Sequence, residues 1–102
     1  MMPGSEDLHS EKHRPSEAAC RDRIKQIIAR CGDLDSQLIN DSSLLAMDLY
    51  IDSLILTDIV YEVEGAFNIV ISGSEVAIIE EVADFYHLVE KKISEGKKVN
   101  LS

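Results

Sequence analysis

The segment Asp48-Leu49-Tyr50-Ile51-Asp52-Ser53-Leu54 is a loop that delivers one hydroxyl at the first residue of a predicted helix. Ser53 in this position is typical of an N-cap, because a serine oxygen accepts a hydrogen bond from an amide of the first turn. The position also suits a phosphate ester of Ser53, since the unpaired amides and the helix dipole stabilise its charge. The helix itself is indicated by apolar residues at helical spacing, which are Leu56, Ile59, Val60, Val63 and Phe67.

Three further helices are predicted around this one. The first runs from residue 16 to Gly32, which supplies a stop at the C-cap position. A short third helix follows Ser72, which has the capping-box spacing to Glu75. The last runs from near Glu80 to residue 94, and Gly96 closes it. The sequence therefore predicts an all-α fold, a small antiparallel bundle of three long helices and one short one, with a long loop between the first two.

The first and last helices each have an apolar face that predicts a shared core. Cys20 and Cys31 lie on the first face and are interpreted as buried thiols, because a helix between them would separate their backbones by about 16 Å, too far for a disulfide. The other residues of the two faces are Ile24, Ile27 and Ile28, and Val82, Phe85, Tyr86, Val89 and Ile93. The long loop can add Leu38, Leu44, Leu45 and Leu49.

Segments without helical periodicity flank the predicted bundle. Residues 1–15 mix charged residues with His, Ser, Gly and Pro and are interpreted as a flexible leader. One domain is expected over residues 16–95, followed by a flexible tail over residues 96–102. His9 and His13 lie four residues apart in the leader, but without other helix signals they predict no metal site.

The chain of 102 residues is acidic, with a net charge of −9, and no Lys or Arg occurs between Arg30 and Lys91. This distribution argues against binding to nucleic acids and against docking on anionic membranes, both of which need Lys and Arg. It favours basic proteins as partners. Neither a long apolar run nor a signal-peptide pattern occurs, so a cytoplasmic protein without membrane insertion is expected.

Residues 48–54 resemble the Asp-Leu-Gly-x-Asp-Ser-Leu signature of the acyl carrier protein family, and the resemblance covers most of residues 17–93. The acidic stretch that ends in Phe67 and the run Ile69-Val70-Ile71 before the short helix also match. The resemblance implies that Ser53 carries a 4'-phosphopantetheine arm, attached from coenzyme A by a separate phosphopantetheinyl transferase. The acyl group would be a thioester on the arm, and the protein would need no catalytic group of its own.

The resemblance also implies a face that partner enzymes recognise. Asp52, Asp58, Glu62 and Glu64 would meet basic patches on acyl-loading and acyl-processing enzymes, and the opposite charges would speed their encounter. Ile55 would add an apolar side chain to this face. Each of the four acids is equally well interpreted as part of a solvated helix surface.

A carrier of this kind needs an apolar space that shelters its cargo. Tyr61, Val63 and Ile79 are candidates for lining such a space between the helices, although all three also fit an ordinary core. Two departures from the family pattern, Tyr50 in place of Gly and Ile55 in place of an acid, favour a specialised carrier over the main carrier of fatty-acid synthesis.

Several functions stay open at this point. A carrier could serve fatty-acid, specialised lipid or polyketide biosynthesis, and its main rival is a peptidyl or aminoacyl carrier, loaded for example with D-alanine. A protein of another class, a non-covalent acidic helical interaction module, would use Ser53 only as a cap and its acidic surface to dock a basic partner. A monomer is expected.

Overall fold

The computed structural model describes the backbone of residues 17–101 and the side chains of residues 18–96. Within these residues the chain forms α-helices and one 3₁₀ turn but no β-strand. This confirms the predicted all-α bundle of three long helices and one short one, while the predicted leader lies outside the described residues. The helices are α1 (Glu17–Gly32), α2 (Ser53–Phe67), α3 (Gly73–Ala77) and α4 (Val82–Leu101), and the 3₁₀ turn is Ser36–Leu38.

The core lies where α1 packs against α2 and α4. The apolar faces predicted from the sequence supply it, because apolar residues three and four positions apart share one side of a helix. Arg21 also joins α1 to α4, since its Nε donates to Glu90 Oε2 at 2.9 Å and its guanidinium lies 5.3 Å from the centroid of the Tyr86 ring. The fully buried core residues include Ile24, Ile28, Ile59, Val63, Val82, Phe85 and Val89.

The last residue of α1 is Gly32, but the left-handed residue that closes the helix is Asp33 (φ 57°) and not Gly32, as the sequence suggested. The amides of Asp33 and Leu34 donate back to carbonyls of the last turn at 3.3 and 2.8 Å, the paired bonds that close many helices. Gly32 has a different role. A Cβ atom at Gly32 would lie 2.8 Å from Cδ1 of Ile51, so the glycine lets Ile51 pack closely against the helix end.

Both cysteines of α1 are free thiols. Cys20 is buried as predicted, whereas Cys31, in the last turn, is partly exposed, so the prediction of a buried thiol there is wrong. Partial burial, together with the nearby Glu62 carboxylate, raises the pKa of the Cys31 thiol. The thiol of Cys31 is therefore protonated at neutral pH.

The long loop over residues 33–52 is attached to the start of α4. The amides of Val82 and Ala83 donate to the loop carbonyls of Ser43 and Asp41 at 3.0 and 2.9 Å. A helix N-terminus has amides without intrahelical acceptors, and here the loop supplies those acceptors. The same bonds hold the loop against the bundle.

Apolar side chains of the loop complete the core, but not all of those that the sequence indicated. Leu45 and Leu49 are buried as predicted, whereas Leu38 is 68% exposed. Ile39 is buried instead, because the backbone is extended at Ile39 and successive side chains of an extended segment point to opposite sides. Ile51, which the sequence analysis did not assign to the core, is also buried.

The predicted capping box opens α3. Ser72 Oγ accepts from the Glu75 amide at 3.2 Å, and the Ser72 amide donates to Glu75 Oε1 at 2.9 Å. This reciprocal pair satisfies two amides and lets so short a helix form.

α4 begins at Val82, two residues later than predicted. Asp84 explains the boundary, because its Oδ2 accepts from the amides of Glu80 and Glu81, both at 2.9 Å. These bonds lower the pKa of the Asp84 carboxyl. The two glutamates therefore precede the helix instead of starting it.

The other end of α4 corrects a second prediction. The helix passes through Gly96 and ends at Leu101, so Gly96 does not close it. A glycine inside a helix costs only about 1 kcal/mol relative to alanine, which the helix-forming residues around it can offset. The limits of the domain at residues 16 and 95 stay predictions.

Candidate functional site

Ser53 is the first residue of α2, and its neighbour Asp52 is the N-cap. Asp52 Oδ1 accepts from the Ile55 amide at 2.9 Å, and the Asp52 carbonyl accepts from the Leu56 amide at 2.8 Å. The interpretation of Ser53 as the cap is therefore wrong. The Ser53 side chain is exposed, and among the described residues its hydroxyl has no hydrogen-bond partner.

The loop before Ser53 is fixed by its own hydrogen bonds. Asp48 Oδ2 accepts from the Leu44 amide at 2.8 Å, and the Ile51 amide donates to the Leu45 carbonyl at 2.9 Å. Because Leu45 and Ile51 are both buried, this bond anchors the loop on the core two residues before Ser53.

Tyr50 adopts the left-handed conformation, with φ 57°. Glycine takes this conformation at no steric cost, whereas other residues are strained by about 1–2 kcal/mol. The signature Asp-Leu-Gly-x-Asp-Ser-Leu, which residues 48–54 resemble, has a glycine at the position of Tyr50, and the structure shows why a glycine suits this position. It also places the Tyr50 side chain on the surface.

This geometry fits a phosphodiester on Ser53. The amides of Ser53 and Leu54 belong to the first turn, where no intrahelical acceptor is available, and the helix dipole is positive there. Since Asp52 does the capping, a substituent on the Ser53 hydroxyl would disrupt no bond of the helix start. The hydroxyl is both accessible and dispensable for folding.

The four acids predicted to form a recognition face differ in their surroundings. Asp58 is exposed, and Glu62 is also exposed but pairs with Arg30 of α1, with Arg30 Nη2 2.7 Å from Glu62 Oε1. Glu64 is partly buried, and its Oε2 accepts from the Ile71 amide at 2.8 Å. Of the acids on α2, Asp58 is thus the one whose exposed carboxylate makes no hydrogen bond or ion pair with another described residue. Glu64 instead fixes the connection between α2 and α3 through its bond to the Ile71 amide.

Ile55 is partly buried against the core, so only part of its side chain is exposed, and its contribution to this face stays a prediction. Ile55 lies one turn before the buried Ile59, and residues four apart share a helix face. The exposed apolar residue at this end of α2 is Leu54.

The three residues predicted to line an acyl-chain space are not brought together. Tyr61 is 76% exposed, and Val63 is fully buried in the core. Residues two apart on a helix point to nearly opposite sides, so these two cannot line one cavity. Ile79 alone lines an apolar groove.

This groove has a volume of about 340 Å³ and lies beside the candidate attachment site. Ile51 and Leu56, which line it, come two residues before and three residues after Ser53. The groove was not predicted from the sequence, because its walls come mainly from the non-periodic loop. The adjacent leucines Leu44 and Leu45 are the feature of the sequence that indicates an apolar wall there. The remaining lining residues are Ala46, Met47, Ile79 and Glu80.

Other kinds of site receive no support from the described residues. Among the described side chains of residues 18–96, no group of His, Cys, Asp and Glu has the arrangement of a metal site. In the same part of the chain, no helix has the length and apolar character needed to cross a membrane.

Comparisons with known proteins agree with this geometry. The chain matches no protein-family profile. It is 34% identical to the acyl carrier protein of Buchnera aphidicola subsp. Baizongia pistaciae over 71 residues, which span 70% of this chain and 91% of that protein. It is 31% identical to the acyl carrier protein of Solidesulfovibrio magneticus, over 72% of this chain and 95% of that protein. A non-reducing polyketide synthase of Emericella nidulans is 35% identical over 78% of this chain, which corresponds to 3% of that protein.

Proposed function

The chain belongs to the acyl carrier protein family, and from this membership we propose that it holds acyl intermediates as thioesters on a 4'-phosphopantetheine arm attached to Ser53. The observation that carries the proposal is the exposed hydroxyl of Ser53, the first residue of α2. This hydroxyl has no hydrogen-bond partner among the described residues and lies next to a separate N-cap, Asp52. The arm supplies a flexible chain that ends in a thiol.

Attachment requires a phosphopantetheinyl transferase and coenzyme A. Ser53 Oγ attacks the phosphorus that bears the pantetheine group, and the new Oγ–P bond replaces the P–O bond to the adenosine part. Adenosine 3',5'-bisphosphate leaves, and the hydroxyl proton passes to a base of the transferase. No oxidation or reduction occurs. The first-turn amides at Ser53 and Leu54 stabilise the charge of the phosphodiester that results.

The protein itself is a carrier without a catalytic site, and enzymes that load and process the acyl group supply the chemistry. Asp52 and Asp58, which are exposed, are suited to basic patches on these enzymes. Glu62 can contribute if its exposed pair with Arg30 opens, since such pairs are weak. We assign this monomeric carrier to the cytoplasm.

The apolar groove lined by Ile51, Leu56 and Ile79 is the proposed shelter for the acyl chain. Apolar surface gains about 25 cal/mol per Å² when it leaves water, so a hydrocarbon chain beside this groove is stabilised by entering it. Such a groove favours acyl cargo over a small polar aminoacyl cargo such as D-alanine.

The pathway that the carrier serves is fatty-acid synthesis or a specialised lipid or polyketide pathway. The departures at Tyr50 and Ile55 support a specialised one. Acyl-activating and amino-acid-activating enzymes, offered the arm-bearing protein in parallel, separate the acyl from the aminoacyl carrier. Loading with an amino acid alone would contradict the proposal.

The attachment site is tested by labelling with a fluorescent coenzyme A and a broad-specificity phosphopantetheinyl transferase. Wild type and Ser74→Ala, a control at another exposed serine, are expected to take up the label. Ser53→Ala is expected to take up none while it stays folded. Labelling of Ser53→Ala at the wild-type rate would contradict the proposal, and partner binding by a protein that never accepts the label would favour the non-covalent interaction module.

A further inference from the structure

Two large apolar side chains lie exposed in the loop just before Ser53. Met47 is 72% and Tyr50 is 81% exposed. Exposure to water is unfavourable for large apolar side chains, and the strained backbone of Tyr50 raises the free energy of the folded state further. Within the same segment Leu45, Leu49 and Ile51 are buried, whereas most of the Met47 and Tyr50 side chains is exposed to water, although Met47 also borders the apolar groove.

The loop presents these two side chains rigidly. Asp48, which lies between them, is bonded through its carboxylate to the Leu44 amide, and its own amide donates to the Leu44 carbonyl at 2.9 Å. On either side of Tyr50, Leu49 and Ile51 are anchored in the core. A partner that buries Met47 and Tyr50 therefore loses little entropy in ordering the loop, which favours tight binding.

The charge around the two residues defines the partner. Asp48, Asp52 and Asp58 are exposed, and residues 31–90 contain no Lys or Arg. A protein surface complementary to this region has an apolar hollow bordered by Lys and Arg side chains.

From these observations we propose that Met47 and Tyr50 form a docking surface for the phosphopantetheinyl transferase and determine how well that enzyme recognises this chain. This rests on the proposed attachment at Ser53. The transferase must bring its bound coenzyme A within bonding distance of Ser53 Oγ, so it necessarily covers the residues that flank this hydroxyl. Enzymes that process the acyl group also meet this end of the molecule, but they react with the far end of the flexible arm, and only the transferase must reach Ser53 Oγ itself.

The experiment measures kcat and KM for modification of Met47→Gln, Tyr50→Asn and the double variant by a phosphopantetheinyl transferase with coenzyme A. Glutamine keeps the length of methionine, and asparagine tolerates the left-handed backbone, so both variants retain the fold. Leu38→Gln and Tyr61→Gln are matched controls, because Leu38 and Tyr61 are also exposed apolar or aromatic residues but lie away from Ser53 in the sequence. Urea unfolding establishes that all variants are folded.

We expect kcat/KM of the double variant to fall at least about tenfold through a higher KM, with kcat little changed, and the two controls to match wild type. Added salt is expected to raise KM for all proteins alike, because it screens the acidic residues but not the apolar contact. Equal KM values for wild type and the double variant would overturn this inference and leave attachment at Ser53 intact. If neither wild type nor any variant is modified under conditions that modify another acyl carrier protein, the proposed function and this inference are both overturned.

Discussion

At the scale of single residues, Asp52 and Ser53 divide two tasks between neighbouring side chains. Asp52 caps α2 by accepting from the Ile55 amide, and Ser53 keeps a hydroxyl that the fold does not use. The sequence signature located the hydroxyl correctly at the first residue of the helix. It could not tell which of two adjacent cap-forming residues does the capping, because Asp and Ser are almost equally good N-caps.

This division predicts that two neighbouring substitutions have unequal effects on the free energy of unfolding. Asp52→Ala is expected to lower the free energy of unfolding by about 1 kcal/mol, since it removes the cap. Ser53→Ala is expected to change it by less than about 0.5 kcal/mol, as for other exposed residues. Urea unfolding of both variants measures the difference. A larger loss in Ser53→Ala than in Asp52→Ala would mean that the serine is the cap.

Glu62 and Glu64 provide a second comparison between residues. Glu64→Ala leaves the amide of the buried Ile71 without its acceptor, which is expected to cost about 1–3 kcal/mol. Glu62→Ala removes an exposed pair with Arg30 and is expected to cost at most about 1 kcal/mol. Chemical denaturation of Glu64→Ala and Glu62→Ala measures the free energy of unfolding of each variant. Equal losses would contradict the structural role assigned to Glu64.

At the scale of helices, local sequence rules predicted most of the bundle. The apolar stripes of α1, α2 and α4 and the capping box at Ser72 each depend on residues a few positions apart, and each is found in the structure. The errors lie where distant contacts decide. At the start of α4, the amides of Val82 and Ala83 bond to loop carbonyls at Ser43 and Asp41, which no local pattern in α4 reveals.

The link between α3 and α4 predicts a dependence of stability on pH. Lys92 Nζ lies 2.8 Å from Glu75 Oε2, and this pair, with the Ser72 amide, lowers the pKa of Glu75 to about 2 from an ordinary value of 4.5. A carboxyl whose pKa is lower in the folded state stabilises the fold above its unfolded pKa. That contribution is lost as the pH falls from about 4.5 towards 2.

Glu75→Gln tests this contribution, because glutamine can keep the capping box but not the charge. We expect the variant to be less stable than wild type at pH 7 and the difference to shrink between pH 4.5 and pH 2. Thermal unfolding across this range measures it, with Glu95→Gln, an exposed glutamate of α4, as the control. A difference between wild type and Glu75→Gln that does not change with pH would contradict the assignment.

At the scale of the whole molecule, the charge of −9 acts on the fold itself. Repulsion among the acids destabilises the compact state, and salt screens it. We expect the melting temperature to rise with sodium chloride and the rise to be smaller for Asp58→Lys, which reduces the negative charge at an exposed site. A melting temperature independent of salt would contradict this expectation.

The candidate cargo space also belongs to this scale, and here sequence reasoning failed. Of the predicted lining residues Tyr61, Val63 and Ile79, only Ile79 borders the groove, because α2 directs Tyr61 to solvent and Val63 into the core. The groove is assembled from the loop, α2 and the segment before α4. These segments lie far apart in the sequence, so no single stretch of sequence contains the groove.

Attachment of the phosphopantetheine arm at Ser53 can be read from the intact mass of the protein isolated from cells that naturally produce it, followed by peptide mapping. We expect a fraction heavier than the unmodified chain by one phosphopantetheine, or by one acylated phosphopantetheine, with the addition on the peptide that contains Ser53. A chain of unmodified mass that still binds its partners in those cells would contradict it.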